Sequence, residues 1–216
     1  QLAAVQNYEF RKTIYKSELE ELTTWSKSWG LSDMGFGREK TASRYFAVAA
    51  STSPHQDAEI RMMVAKSAIV IAVADDFYDM EGSLDDLERI TDAVQRWDAK
   101  GLSGHSKIIF DALDSLVNEL ARKYFRQHGT DITNSLRDIW SETFASWFTE
   151  AKWSKSGFIP AAEEYLETGM ITSIASHNSK ASNRNTFSPG IFIHHFLYIH
   201  LFKHNLFFFK HTQAYI

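Results

Sequence analysis

The 216-residue sequence contains no cysteine, so it forms neither disulfide bridges nor thiolate metal sites. It has only three prolines, and clusters of turn residues are sparse, which favours an all-α fold over a β-sandwich or barrel. A formal net charge of −4 gives no sign of the basic surface typical of nucleic-acid-binding proteins. With 44% hydrophobic and 23% charged residues, the composition is that of a globular protein that does not bind nucleic acid.

The sequence also lacks a recognisable targeting segment. It begins at Gln1, and no positively charged stretch leads into an apolar one, as a signal peptide requires. We therefore expect a fragment whose natural start lies upstream.

Acidic residues are missing from the end of the chain. None of the 27 acids stands after Glu167, and five of the nine histidines lie at positions 194, 195, 200, 204 and 211. We therefore predict two segments, a helical domain over 1–177 and a tail over 178–216 that is foreign to the domain and arose from a translated intron, a frameshift or a faulty gene model.

Apolar residues recur with helical spacing along most of the first segment. The region 69–73 is rich in isoleucine and valine and fits a buried strand equally well by propensity, but the length of its segment favours a helix. Ser83 and Asp86 predict a capping box, Gly30 and Gly129 predict helix ends, and Pro160 suits a first helical turn. The predicted helices, which together indicate an α-helical bundle, span 8–29, 36–51, 57–80, 84–97, 105–127, 133–154 and 160–176.

Three aspartates follow a strongly apolar run in "SAIVIAVADDFYD", residues 67–79. On a helix Asp75 and Asp79 share one face, roughly 5–6 Å apart at Cβ, and Asp76 points beside them. Like charges so placed repel unless a cation lies between them. Mg²⁺ prefers oxygen ligands and is typically held by one or two carboxylates together with substrate phosphates.

A solvated, frayed helix end explains a bare pattern of this kind as well, because short motifs match by chance. Two features favour the metal site over that explanation. The apolar run leads the acids into a core, and the basic residues Arg38, Lys40, Arg61 and Lys66 precede them, although basic residues on helices are commonly just solvated.

These residues resemble the plant class I terpene synthases, in particular the kaurene-synthase-like diterpene synthases. "DDFYD" is similar to the aspartate-rich magnesium motif of that family, and "FGREK" at 36–40 to its upstream arginine motif. "GSLDDLERITDAVQRWD", "SGHSKIIFDAL" and "EAKWSKSGFIPAAEEYLETGMITSIAS" resemble later segments. The resemblance extends in order over residues 1–177.

The resemblance implies a partial isoprenoid synthase helical bundle and a lyase acting on a prenyl diphosphate, geranylgeranyl or copalyl diphosphate, with cyclisation to a diterpene. It implies Mg²⁺, or Mn²⁺ as the alternative ion, held by Asp75, Asp76 and Asp79, of which Asp75 and Asp79 are the direct ligands. The diphosphate would be bound by Arg38, Lys40 and Arg61. The aromatic residues that either face a carbocation or form ordinary core are Phe77, Tyr78, Trp140 and Trp147.

The family's second metal motif, N/D-D-x-x-S/T-x-x-x-E, has no match here. Activity of this chain is therefore in doubt, and a non-catalytic helical relic, or a partner of an intact synthase, is the alternative.

For the tail, a metal site at His194, His195, His200 and His204 and a membrane anchor over 187–202 are the alternatives. That uncharged run has 16 residues, fewer than the roughly 20 that span a bilayer, so no membrane span is expected. The resemblance implies a plastid location, with the cytoplasm as the alternative, and leaves the oligomeric state open.

Overall fold

The structure is a computed structural model that describes residues 2–36, 41–51 and 58–173. The described ranges are helical and contain no strand, which confirms the all-α prediction. Their α-helices, in chain order, are α1 (Leu2–Ser28), α2 (Thr41–Ser51), α3 (Ala58–Asp76), α4 (Leu84–Arg96), α5 (Gly104–His128), α6 (Thr133–Ser156) and α7 (Ala162–Ser173). None of them is long and apolar enough to cross a lipid bilayer.

Helix α3 occupies the centre of the described bundle. It packs against α1, α2 and α5, and 14 of its 19 residues are buried. A helix that is apolar on all sides is stable only inside a protein, and each fully buried valine or isoleucine contributes roughly 1.5–3 kcal/mol. The strand-like composition of 69–73 therefore reflects burial on every face of a helix.

Helix ends follow the predicted signals in most cases. Gly30 and Gly129 adopt left-handed φ angles of 70° directly after α1 and α5. Ser83 and Asp86 form the predicted capping box at the start of α4. Pro160 was predicted to lie in the first turn of the last helix, which was wrong. The helix begins at Ala162, and Pro160 stands before its first hydrogen bond, from Tyr165 N to the Ala161 carbonyl.

A buried ion pair joins α1 to α3. Arg61 Nε and Nη2 donate to the Glu18 carboxylate at 2.8 and 2.5 Å, and the Tyr45 hydroxyl of α2 donates to the same group at 2.6 Å. Tyr45 is buried, and burial together with the hydrogen bond to Glu18 raises the pKa of its hydroxyl. Three helices are thus tied to one carboxylate.

A second pair links α3 to α5. Lys66 Nζ donates to Glu119 at 2.9 and 3.2 Å and lies 5.5 Å from the ring centre of Trp25. Burying a lysine is costly unless its charge is paired, and here a carboxylate and an aromatic face share it. These contacts set the orientation of α3, and with it the position of the aspartates at its end.

Candidate functional site at the end of the central helix

The three aspartates occupy different environments at the C-terminal end of α3. Asp76 is 4% exposed, Asp75 is half-buried and Asp79 is exposed. The acids are therefore neither all in bulk solvent nor all in the core. They lie across the boundary between the two, where a hydrated cation can reach them.

A π-helical turn over Phe77–Glu81 continues directly from α3. Gly82 N donates to the Phe77 carbonyl at 2.8 Å, five residues back. The wider turn directs Phe77 and Tyr78 into the core while Asp79 faces outward. Turns of this kind are rare and are found frequently at functional sites.

Two contacts hold this turn from outside. Lys155 Nζ, near the C-terminal end of α6, donates to the Gly82 carbonyl. The capping box follows at once, with Asp86 N donating to the Ser83 hydroxyl at 3.2 Å. The hydrogen bond from that hydroxyl lowers the pKa of Asp86. The aspartate segment is thus fixed at both ends, by α3 and by the start of α4.

Arg44 is a site residue that the sequence analysis missed. It lies on α2 and is 7% exposed. Burial lowers the pKa of its guanidinium, and the charges of Asp75 and Asp76 oppose this by favouring the charged form. In the sequence the spacing of Thr41, Arg44 and Val48 places the three on one helical face, and the structure shows that this face is buried, but the spacing does not reveal the charges that act on Arg44.

Arg61 does not lie where the sequence analysis expected it. It is 14 residues before Asp75 on one helix, so at 1.5 Å per residue the two positions are about 21 Å apart along the axis. Its guanidinium is 1% exposed and bonded to Glu18. The prediction that Arg61 meets the same diphosphate as the aspartates is therefore corrected, because the buried Glu18 carboxylate requires a cation beside it.

Lys66 also has a partner away from the aspartates, because its ammonium group donates to Glu119 on α5. Arg38 and Lys40, the other predicted diphosphate ligands, lie outside the described residues, as does the tail over 178–216 with its histidines and its uncharged run.

The predicted aromatic residues form a cluster beneath the turn. Tyr78 contacts Phe144 and Trp147 with ring centres 5.7 and 5.8 Å apart, and Trp140 packs on Phe144 at 6.2 Å. These four rings, and the ring of Phe77, are buried. The Tyr78 hydroxyl is bonded to the Thr91 hydroxyl at 2.6 Å. In the described residues this cluster has the geometry of a packed core that supports the aspartate segment.

The oxygen donors at the site suit Mg²⁺, which takes carboxylates and water and binds few protein groups directly. Within 2–36, 41–51 and 58–173, no three acidic or histidine side chains converge into a complete cage for a metal ion.

Residues 27–182 match the "Terpene synthase family, metal binding domain". S-linalool synthase of Clarkia breweri is 51% identical over 90% of this chain and 22% of its own length. (E,E)-geranyllinalool synthase of Arabidopsis thaliana is 50% identical over 81% and 20%. Ent-kaur-16-ene synthase, chloroplastic, of Oryza sativa subsp. japonica is 33% identical over 78% and 23%. The chain spans about a fifth of the length of these relatives.

A solved structure resembles this fold closely. Isoprene synthase from grey poplar, in complex with three Mg²⁺ ions and dimethylallyl-S-thiolodiphosphate, superposes with a TM-score of 0.69 at 31% identity. The match covers 77% of this chain and 33% of that one.

Proposed function

The chain belongs to the terpene synthase family, and from that premise we propose that it takes part in the Mg²⁺-dependent ionisation of a prenyl diphosphate. The observation that supports this most directly is the end of α3, where the half-buried Asp75 and the buried Asp76 close the helix and the exposed Asp79 lies on the braced π-helical turn that follows. Divalent metal binding by the family domain, and the magnesium complex of the poplar enzyme, agree with it.

In this proposal Asp75 and Asp79 are the direct ligands of Mg²⁺. Asp76, which is buried, orients the end of the helix and contributes negative charge from behind. When bound, Mg²⁺ supplies the positive charge that stabilises the departing diphosphate. The braced turn keeps the carboxylates in position, so little reorganisation accompanies binding.

Arg38 and Lys40 are proposed to bind the diphosphate, because guanidinium and ammonium groups are the usual phosphate partners. Arg61 is not included. We assign it to holding α1 and α3 together through Glu18, about 21 Å from the aspartates along the helix axis.

The product class proposed here is an open-chain tertiary alcohol. Linalool and geranyllinalool are such alcohols, formally the products of water adding to an allylic cation with loss of a proton. The synthases named for them share 50–51% identity with this chain, against 33% for the kaurene synthase. Cyclisation to a diterpene, from geranylgeranyl or copalyl diphosphate, is the second candidate, and the kaurene-like segments of the sequence support it.

The test is a turnover assay of the purified chain with geranyl, farnesyl, geranylgeranyl and copalyl diphosphates, with and without Mg²⁺. Under this proposal any product is an acyclic alcohol, formed only with the metal and abolished by Asp75→Asn. Asp92→Asn on α4 is the matched control, because Asp92 is half exposed and lies outside the aspartate motif.

The outcomes separate the candidates. A cyclic hydrocarbon would favour the diterpene cyclase. Metal-dependent binding of the diphosphates without turnover would favour a non-catalytic binding partner. Absence of both turnover and binding would reject the proposed function for this chain.

We also propose a plastid location, which rests on relatives such as the rice kaurene synthase described as chloroplastic. A fluorescent fusion of the full-length gene product would test it, and fluorescence confined to the cytoplasm would contradict it.

A further inference from the structure

The π-helical turn after α3 is held at its first and its last residue by a connected set of side chains. Its first residue, Phe77, is 4% exposed, and its ring centre lies 5.8 Å from that of Phe36. The ring of Phe36 in turn meets the imidazole of His105 edge to face, with 5.1 Å between the ring centres. His105 Nδ1 lies 3.9 Å from Oε1 of Glu81, which is the last residue of the turn. We call these four side chains the clamp.

The clamp joins parts of the chain that are far apart in sequence. Phe36 follows the short helical turn Leu31–Asp33, and His105 is the second residue of α5. The Phe77 ring is also close to Gly82, where an added Cβ would lie 3.1 Å from Phe77 Cε1. The ring therefore has neighbours both at the end of the turn and in the chain before α2.

Tertiary contacts are needed to keep the chain in this geometry. Turns of the π type are rare and occur mostly as single turns in otherwise α-helical segments, so something outside the segment must favour this one over a continued α-helix. Edge-to-face and tilted aromatic pairs stabilise a fold beyond the burial of their area. The contact of His105 with Glu81 adds little by itself, because the two side chains are 41% and 46% exposed. The ring contacts of Phe36 are therefore the main support of the turn within the clamp.

Asp79 stands midway between the two held residues, Phe77 and Glu81. We propose that Phe36 and His105 are positioning residues, which hold the π-helical turn by its two ends and so fix the Asp79 carboxylate where it binds Mg²⁺. The link to Mg²⁺ rests on the proposed function, whereas the support of the turn does not. Accurate placement matters at such a site, because a group displaced by about 1 Å is far less effective.

The first arm of the test measures amide hydrogen exchange by NMR in EDTA, so that no metal is bound. The reporter is the Gly82 amide, which closes the turn by donating to the Phe77 carbonyl at 2.8 Å. Phe36→Leu removes the ring and keeps an apolar side chain, and we expect Gly82 to exchange about three- to tenfold faster. Phe36→Tyr keeps the ring and should restore slow exchange.

The matched control is Phe148→Leu, which shortens an equally half-buried ring on α6. This variant lowers the general stability of the fold but leaves the clamp intact, so the exchange rate of Gly82 should change by less than about twofold. Equal acceleration by Phe36→Leu and Phe148→Leu would mean that the turn opens only together with the whole fold. That result, or unchanged exchange in Phe36→Leu, overturns the proposal.

A double variant tests whether the clamp acts as one unit. His105→Leu removes the other ring of the contact with Phe36, so the double variant should exchange Gly82 about as fast as Phe36→Leu alone. Full multiplication of the two single effects overturns the proposal. If Phe36→Leu does not fold, His105→Leu decides alone: faster exchange of Gly82 supports the clamp, and unchanged exchange overturns it.

The second arm measures calorimetric binding of dimethylallyl-S-thiolodiphosphate in the presence of Mg²⁺. Phe36→Leu should bind this probe about three- to tenfold more weakly than wild type, whereas Phe36→Tyr and Phe148→Leu should match wild type. Equal binding by Phe36→Leu and wild type overturns the role of the clamp in placing Asp79. If the wild-type chain does not bind the probe, the proposed function fails, while the exchange arm still decides whether the clamp supports the turn.

Discussion

Replacing Arg61 by methionine is predicted to be among the most damaging single changes in the described core. Glu18 is 7% exposed and Arg61 1%, and their two hydrogen bonds are 2.5 and 2.8 Å long. Arg61→Met leaves Glu18 as a buried carboxylate that keeps the hydrogen bond from the Tyr45 hydroxyl but loses its guanidinium partner. Breaking one side of such a pair costs about 3–5 kcal/mol.

The measurement is urea unfolding followed by circular dichroism, with Arg61→Met, Glu18→Gln and the double variant compared at one pH. The double variant should lose less than the sum of the single losses, because it contains no uncompensated buried charge. At about 2–4 °C per kcal/mol for a chain of this size, Arg61→Met should lower the melting temperature by roughly 6–20 °C.

The matched control is the exposed pair of Arg96 and Asp92 on α4, whose charged atoms are 3.8 Å apart with both side chains 55% exposed. Arg96→Met should cost less than about 1 kcal/mol, as exposed pairs do. If Arg61→Met proves as mild as Arg96→Met, or if its loss adds fully to that of Glu18→Gln, the assignment of Arg61 to the helix junction is refuted.

Three further predictions concern the segment after the aspartates. Ser83→Ala removes the cap of α4 and should cost about 1 kcal/mol in the same unfolding measurement; a change under 0.3 kcal/mol would contradict it. The pKa of Asp86 is lowered in the fold, so the ionised carboxylate stabilises the protein above its ordinary pKa of 3.8, and this stabilisation declines as the pH falls below that value. Asp86→Asn should therefore reduce the dependence of the unfolding free energy on pH in this range. An unchanged pH dependence would contradict the prediction. Gly82→Ala would place a methyl group 2.5 Å from Leu87 Cδ2, and overpacking of this kind costs about 1–3 kcal/mol; an alanine variant as stable as wild type would show that the turn is looser than described.

Much of the fold was predictable because local signals and burial agree. The Ser83–Asp86 capping box and the end of α5 at Gly129 are short-range features, and the sequence contains the whole signal. The central helix was predicted despite its isoleucine and valine content, since its length exceeds that of a strand. The prediction that Pro160 lies in the first turn of the last helix was wrong because proline is compatible with the positions just before a helix as well as with the first turn.

The aspartates were predicted from their motif, but their surroundings were not. Arg61 and Arg44 are both buried arginines on helices, and nothing in the neighbouring sequence distinguishes an arginine that pairs with a distant glutamate from one on which the aspartate charges act. Glu18 lies 43 residues before Arg61, and the charges of Asp75 and Asp76 act on Arg44 across the packed pair of helices α2 and α3. Such partners depend on the packing of whole helices. The π-helical turn after Asp76 likewise follows from tertiary contacts, including that of Lys155 with Gly82.

The central claim is that the aspartates at the end of α3 bind a prenyl diphosphate through a shared divalent cation. The most direct measurement is calorimetric binding of a non-hydrolysable prenyl thiolodiphosphate to the chain, with Mg²⁺ and then with EDTA, for wild type, Asp75→Asn and Asp92→Asn. We predict binding to wild type and Asp92→Asn only when Mg²⁺ is present, and none to Asp75→Asn under either condition. Binding of equal strength in EDTA, or full retention by Asp75→Asn, would contradict the claim.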